Sequence, residues 1–289
     1  MRLRTSVLAA VVLAAGSAWV WAGISVAPAF VEVTLDKGRP AGRFEIANLG
    51  EKVERYRVRA LHFRFAADGS LLRLKADERS LAPWVKFNPA ELTVAPKTSR
   101  AVRFVIIPRG KLAPGEYWGA MELENLDTQV GKGKDKEGRE LKIEVVSTVL
   151  VPIFGTVGTV SRQGSLDHVK AAPDEEGTLI QARVTNQGTG RLLVKGRYEI
   201  QNASGEVLEE EELGYAYILP QADRKFSRRV KVGLPKGDYT VSVKYESPQL
   251  AQPLTGEATL TLASPSVPPP PKADESARAR SPAAASPTS

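Results

Sequence analysis

An all-β architecture, two β-sandwich domains in tandem with a disordered tail, is what the sequence predicts, and three observations carry it. From residue 24 to residue 262, runs of β-branched and apolar side chains alternate with polar ones, the period-two pattern of half-buried strands. Gly, Pro, Asn and Asp punctuate these runs where turns are needed. The chain beyond its first 22 residues has room for two domains of about 120 residues and a tail.

The elements follow in order. Arg2 and Arg4 form a positive head, Val7–Val20 an apolar stretch, and "VWA" ending at Ala22 offers a small residue for cleavage, so residues 1–22 read as an export signal. A transmembrane anchor needs about 20 apolar residues, and this run is short, with Gly16 and Ser17 inside it. The expected location is the periplasm. Strands are then expected at Ile24–Leu35, Gly42–Asn48, Arg55–Phe65, Trp84–Phe87, Arg100–Ile107, Glu116–Asn125 and Glu140–Phe154. Seven strands at this spacing predict an antiparallel immunoglobulin-like sandwich over 23–157, without the Cys, Trp, Cys pattern of antibody domains.

"GTVGTVSRQG", Gly155–Gly164, is small and glycine-rich, which places a hinge at 158–164. A second immunoglobulin-like sandwich is expected over 165–262, with strands at Leu179–Thr185, Leu192–Gln201, Glu206–Glu212, Tyr215–Leu219, Lys225–Val232, Asp238–Tyr245 and Ala258–Leu262, separated by "NQGTG", "NASGE" and "LPKGDY". No sequence repeat relates the halves. Residues 263–289 are rich in Pro, Ala and Ser and have no aromatic residue; too little apolar surface is available to offset ordering entropy, so a disordered tail is predicted.

Composition excludes several functions. There is no cysteine, which removes thiol catalysis, thiolate metal sites and disulfides, so the exported chain is held by core packing. With His62 and His168 as the two histidines, no histidine metal cluster is expected, and both read as ordinary strand or loop residues. The formal charge of +7 falls by two when Arg2 and Arg4 leave. No run of Lys and Arg interleaved with aromatics occurs, so nucleic acid is not an expected partner. No nucleophile elbow or phosphate-cradling glycine loop is present, and no enzyme, cofactor or metal is expected. The acidic run Glu209–Glu212 alternates faces along a strand and reads as a solvated edge rather than a cation site. "NAS" at Asn202 reads as a turn.

One phrase is more specific. In Trp84–Glu124, Pro89 ends a strand, "VAPKTSR" turns into the next, and "LAPGEYWGAMEL" leads into a third with Tyr117 set to plug the sandwich end. Together with "ISVAPAFVEVTL" and "IANLGEKVERYRV", the phrase resembles the periplasmic pilus (fimbrial) chaperones of the chaperone–usher pathway. The resemblance rests on Val26–Pro28, Asn48–Gly50, the Pro89–Arg103 segment with Leu92, Pro96, Val102 and Arg103, Tyr117–Met121, and the closing "VPIF". It covers Ile24–Thr156 and weakens beyond.

The resemblance gives a meaning to "LKIEVVSTVLVPIF", Leu141–Phe154, which alternates apolar and charged residues and then turns almost wholly apolar. In such chaperones the early part of the last strand of the first domain is exposed and is donated to a subunit that lacks its own final strand, while the later part is buried. Leu141, Ile143 and Val145 share one face and Lys142 and Glu144 the other. The apolar row would enter the subunit's groove while main-chain bonds complete its sheet, at about 1.5–3 kcal/mol per buried side chain. The alternative is that these three residues face the domain's own core. Upstream, the polar segment Asp127–Glu140 is expected to be a mobile loop.

The sequence also departs from the family. The resemblance implies basic residues in the first and last strands that hold the subunit's terminal carboxylate, yet no Lys or Arg lies between Gly23 and Asp36 or between Glu144 and Phe154. Arg103, or else Arg100, is the candidate anchor. The expected partners are pilin-like or surface-fibre subunits and an outer-membrane usher, with self-capping dimers a further expectation and no integral membrane anchor in the mature chain. The competing reading is an exported structural or adhesion protein whose sandwiches are spacers.

Overall fold

A computed structural model describes residues 19–21, 23–36, 38–127, 129–134, 140–174, 177–230 and 233–263, with the backbone alone at 19–21, 129–134 and 140–145. Residues 1–18, within the expected export signal, and residues 264–289, within the expected disordered tail, lie outside these residues. Two compact units divide the chain. The first comprises Met1–Ser165 with Thr185–Leu193 and Ala216–Arg224, and the second Leu166–Val184, Val194–Tyr215 and Lys225–Ser289.

Among the described residues thirteen strands precede residue 158: β1 (Trp19–Trp21), β2 (Ile24–Ala27), β3 (Val31–Thr34), β4 (Ala41–Asn48), β5 (Glu54–Phe65), β6 (Leu71–Leu74), β7 (Val85–Asn88), β8 (Glu91–Val94), β9 (Ser99–Ile106), β10 (Gly115–Asn125), β11 (Gln129–Lys134), β12 (Glu140–Val145) and β13 (Thr148–Val157). One sheet has the order β1-β2-β4-β9-β7; the other is β3-β13-β10-β5-β6, with β8 also on β5. The fold class is as predicted, an all-β tandem of sandwiches, but several strand boundaries are not. The single strand expected over Ile24–Leu35 is two, because Pro28 has no N–H for a ladder and the chain crosses there from one sheet to the other. The strand expected over Glu140–Phe154 is interrupted at Val146 and Ser147. The segment read as a loop contains β11, paired with β12. The short strands β6 and β8 have no counterpart in the sequence reading.

The first sheet is one-sided. Phe44 and Ile46 of β4 and Val102, Phe104 and Ile106 of β9 are buried, while Arg43, Glu45 and Arg103 between them are exposed, as period-two alternation requires. Gly42 leaves room for the Phe104 ring opposite it, which a Cβ would meet at 2.8 Å. The second sheet is apolar on both faces. Tyr117, Met121 and Leu123 of β10 pack inward with Val151 and Ile153 of β13. Trp118, Ala120 and Phe154 form a second cluster with Phe63 and Leu219, and Leu150 packs against it. That two-sided burial is why "VLVPIF" stops alternating.

The second half contributes β14 (Gly164–Asp174), β15 (Gly177–Asn186), β16 (Leu192–Asn202), β17 (Val207–Ile218), β18 (Asp223–Val230), β19 (Gly237–Glu246) and β20 (Leu254–Leu262). They form sheets β14-β15-β18 and β17-β16-β19-β20. Its core includes Ile180, Val194, Tyr198, Ile200, Val241, Val243, Tyr245 and Leu260. β14 is an added strand, and the two strands expected at Glu206–Glu212 and Tyr215–Leu219 are one, β17, which passes Gly214 at φ +118°. β17 lies at a sheet edge, and Glu210, Glu211 and Glu212 on it pair with Arg197, Arg228 and Lys195. Asn202 is in a turn, its Oδ1 accepting from the Ser204 and Glu206 amides.

Two small motifs recur in both halves. Asn48 is fully buried; its amide donates to Val94 O at 3.0 Å and its Oδ1 accepts from Gly50 N at 2.9 Å. Asn186, also fully buried, repeats this with Gly188 N and Ile218 O, both at 2.9 Å. Tyr117 Oη donates to Ala113 O at 3.0 Å, and Tyr239 Oη to Pro235 O at 2.7 Å, each a corner that ties a strand start to the preceding loop. The expected outcome of Tyr117→Phe or Tyr239→Phe is a loss of about 0.5–1.5 kcal/mol of stability, read by urea unfolding. Unchanged midpoints would show that the corners do not hold the loops.

Candidate functional site

The site is the arm made by β12 and β13. β10 and β13 pair antiparallel from Gly115↔Val157 to Glu124↔Thr148, and β11 and β12 continue the hairpin from Gln129↔Val145 to Lys134↔Glu140. Between the two ladders the register slips by two residues, so the first arm carries a bulge. Beyond it, β11 and β12 form a two-stranded sheet of their own among the described residues. Leu141, Ile143 and Val145 stand opposite Gly133, Gly131 and Gln129; their side chains are outside the described part.

Hydrogen-bond parity fixes which way β13 points. Asn125 N donates to Ser147 O at 2.9 Å on the β10 side, whereas Leu35 N donates to Thr156 O at 2.8 Å on the β3 side. In an antiparallel ladder alternate residues face opposite edges. Odd-numbered residues of β13 therefore bond β10, and even-numbered ones face away from it. β3 covers that far edge, in parallel, only from Ile153 to Thr156. Thr148, Leu150 and Pro152 consequently direct their main-chain groups to an edge with no partner among the described residues. Pro152 sits where its missing N–H costs the protein's own ladder nothing, the position in which a sheet admits proline. With β12 beyond, the open edge from Glu140 to Pro152 runs for about 40 Å at a rise of about 3.3 Å per residue. Val146, at the junction, is 50% exposed.

An ionic cluster, with Arg191 and Glu116 buried and Glu32 exposed, stands where this edge ends. The Arg191 guanidinium lies 3.9 Å over the Phe154 ring and 5.8 Å from that of Tyr217. It pairs with Glu116 through Nη1 and with Glu32 through Nη2, and the Arg191 amide donates to Glu116 at 2.6 Å. Glu32 is the cross-strand neighbour of Phe154 in the β3–β13 ladder. Burial pushes the Glu116 carboxyl up, to about 7, against the amide bond from Arg191, which favours its ionised form. Burial likewise pushes the Arg191 guanidinium down, to about 10. Nothing in the sequence pattern marked these three residues, because their partners lie far apart along the chain.

Arg100 and Arg103 are both exposed on β9, in the sheet that does not contain β13. Arg103 stands opposite Arg43 and Asn88. His62 is 1% exposed, its ring 5.5 Å from Trp118 and its Nε2 3.1 Å from Asp77; His168 is exposed on β14. Among the described residues no group of three His, Cys, Asp or Glu could hold a metal ion.

No protein-family model matches the sequence, and no curated protein matches it. Among solved structures the chain is similar to the CupB2 chaperone of Pseudomonas aeruginosa, at 12% identity over 81% of this chain and 99% of that one, TM-score 0.43. It is also similar to a chain of the chaperone–tip subunit complex of the archaic Csu pili of Acinetobacter baumannii, at 10% identity over 84% and 100%, TM-score 0.44. A third is a chain of the Salmonella enterica SafA pilin–SafB chaperone complex, at 10% identity over 81% and 96%, TM-score 0.41. Fimbrial chaperones are thus among the solved structures to which the chain is similar. Likeness at this level carries no conclusion about function.

The cluster makes stability depend on pH. Folded Glu116 holds its proton more tightly than the unfolded residue, whose value is 4.5, so stability falls as pH rises from 4.5 through about 7 and then levels. Denaturation midpoints measured across this window are expected to decline in the wild type and to flatten in Glu116→Gln. An equal decline in both would assign the effect elsewhere.

Proposed function

We propose that the protein is a periplasmic assembly chaperone, a binding protein without catalytic turnover, which caps pilin-like or surface-fibre subunits by donor-strand complementation. The observation that carries this reading is the open edge of β12 and β13. An extended client strand finds there the N–H and C=O groups of Thr148 and Leu150 and the C=O of Pro152, the requirement for strand addition. The apolar row Leu141, Ile143 and Val145 supplies side chains for the client's groove, on an arm that extends past the two sandwich sheets. The rival spacer reading expects a last strand buried at both ends and no client; the open edge at Thr148, Leu150 and Pro152 favours donation. An exposed apolar edge is also an association hazard, which the client, or a second copy in a self-capping dimer, would cover. An outer-membrane usher receiving the capped subunit completes the reading.

The test separates edge from face. Thr148→Pro removes one N–H from the open edge while leaving the β10 ladder intact, and Ile143→Arg charges the apolar row. Mature protein recovered from periplasm is expected to bring down a small β-rich subunit, with recovery lowered tenfold or more in either variant, on the order of 1.4 kcal/mol. Both variants should keep the wild-type unfolding midpoint. Undiminished recovery in both variants, or no client at all with the wild type, would favour the spacer.

A further inference from the structure

The arm of β11 and β12 leaves the first sandwich beside the start of β5, and two side chains build its exit. β10 pairs with β5 as far as Asn125↔Tyr56. The ladder then gains one more bond, from the Leu126 amide to Arg55 O at 2.8 Å. In a regular hydrogen-bonded pair the Arg55 amide would return a bond to the Leu126 carbonyl. It donates instead to Asp127 Oδ2 at 2.8 Å, so a side-chain carboxylate stands in for a backbone carbonyl. The ladder therefore ends with the Arg55 amide satisfied while the main chain turns off at the bulge.

The same carboxylate holds the Arg55 guanidinium. Nε and Nη2 donate to Asp127 Oδ1 at 3.0 and 2.9 Å, charge-assisted bonds from one edge of the fork. The side-chain bond from Arg55 is the main reason that the Asp127 carboxyl lies below the usual carboxylate range. Asn125 orients the acid: its Oδ1 accepts from the Asp127 amide at 2.8 Å, and its Nδ2 donates to Glu54 Oε2 at 3.4 Å. Arg55 is itself set inside the sheet, since β8 pairs with β5 on its other side at Arg55↔Thr93.

Placement decides what this clamp does. Beyond it the β11–β12 ladder belongs to neither sandwich sheet, and a two-stranded ribbon has little stability of its own. A ribbon joined across a slip in register can turn as one body about that slip unless its root is fixed. Both side chains are exposed, Arg55 at 59% and Asp127 at 37%, so the pair adds little to global stability. What it fixes is direction.

We propose that Arg55 and Asp127 are positioning residues for client capture, their clamp aiming the β11–β12 ribbon so that β12 continues the open edge of β13. The inference rests on the donor reading of that edge. A client strand that pairs with both β12 and the Thr148–Pro152 stretch meets them together only when the ribbon lies in line. Without the clamp the ribbon samples other directions, and apparent affinity falls with the competent fraction, about fivefold where one orientation in five is competent. Once bound, the client itself holds β12 in line, so the loss falls on association and not on dissociation.

Two measurements on the mature full chain test this. The chain has no cysteine, so nitroxides at Lys142→Cys on β12 and Lys86→Cys on β7 report a single distance. Pulsed electron resonance without client is expected to give one narrow distribution, broadened by Asp127→Ala and by Arg55→Gln. Arg57→Gln, which removes from the same strand a cation paired with Glu91, should leave the width unchanged. The second measurement uses the β-rich subunit recovered with the wild type, purified, denatured and offered to each unlabelled variant. Association is expected to slow about fivefold in Asp127→Ala, less in Arg55→Gln, which keeps its backbone bonds, and not in Arg57→Gln. Dissociation and unfolding midpoints should stay at the wild-type values. Unbroadened distributions in both clamp variants, or broadening without slower association, would overturn the inference; the donor reading would stand if Ile143→Arg still loses the subunit. Faster dissociation would make Arg55 and Asp127 direct contacts, and lowered midpoints in both variants would make the pair merely structural; either overturns positioning. A wild type that recovers no subunit overturns the donor reading and the inference with it.

Discussion

The main-chain bonding of β13 is the constraint on which the rest of the first sandwich depends. Each residue of that strand faces one of two edges, and the parity set by Ser147 and Thr156 gives one edge wholly to β10. The other is closed by β3 only as far as Ile153. A buried unpaired amide would be costly, so the uncovered stretch must stay in contact with water or with a partner. Pro152, with no N–H to leave unpaired, occupies the last uncovered even position.

An open edge is useful only on a strand that does not move, and the packing of the second sheet supplies that rigidity. β13 is gripped on both faces: Val151 and Ile153 in one cluster, Phe154 in the other with Trp118 and Phe63. The cluster of Arg191, Glu116 and Glu32 then fixes the junction where β3 meets β13. Breaking a buried ion pair is far more costly than its formation is favourable, so the cluster specifies this geometry more than it stabilises the fold.

Much of this was legible in the residues, and the remainder was not for identifiable reasons. Alternation gave β4, β5, β9 and β10 within a residue or two, because one face of each of these strands, or a turn residue at its end, breaks the pattern. The change of pattern within Leu141–Phe154 falls where β12 gives way to β13; the break at Val146 and the pairing of β11 did not show, since "QVGKGK" carries no apolar period. β6 and β8, four residues each, are too short for periodicity to register. The relation between the halves was present in "NLG" and "NQG" and in "APGEY" and "PKGDY", but only the shared bonds of the Asn and Tyr side chains reveal these as one motif. Arg191 and its acids were invisible because an ion pair between distant segments leaves no local signature.

The most direct measurement is residue-resolved amide hydrogen exchange along β13, in the free mature protein and then with its captured subunit. The account predicts rapid exchange at Thr148 and Leu150 beside slow exchange at Val149 and Val151, and slow exchange at all four once the subunit is bound. Uniform protection in the free protein, or an alternation that the subunit leaves unchanged, would contradict it.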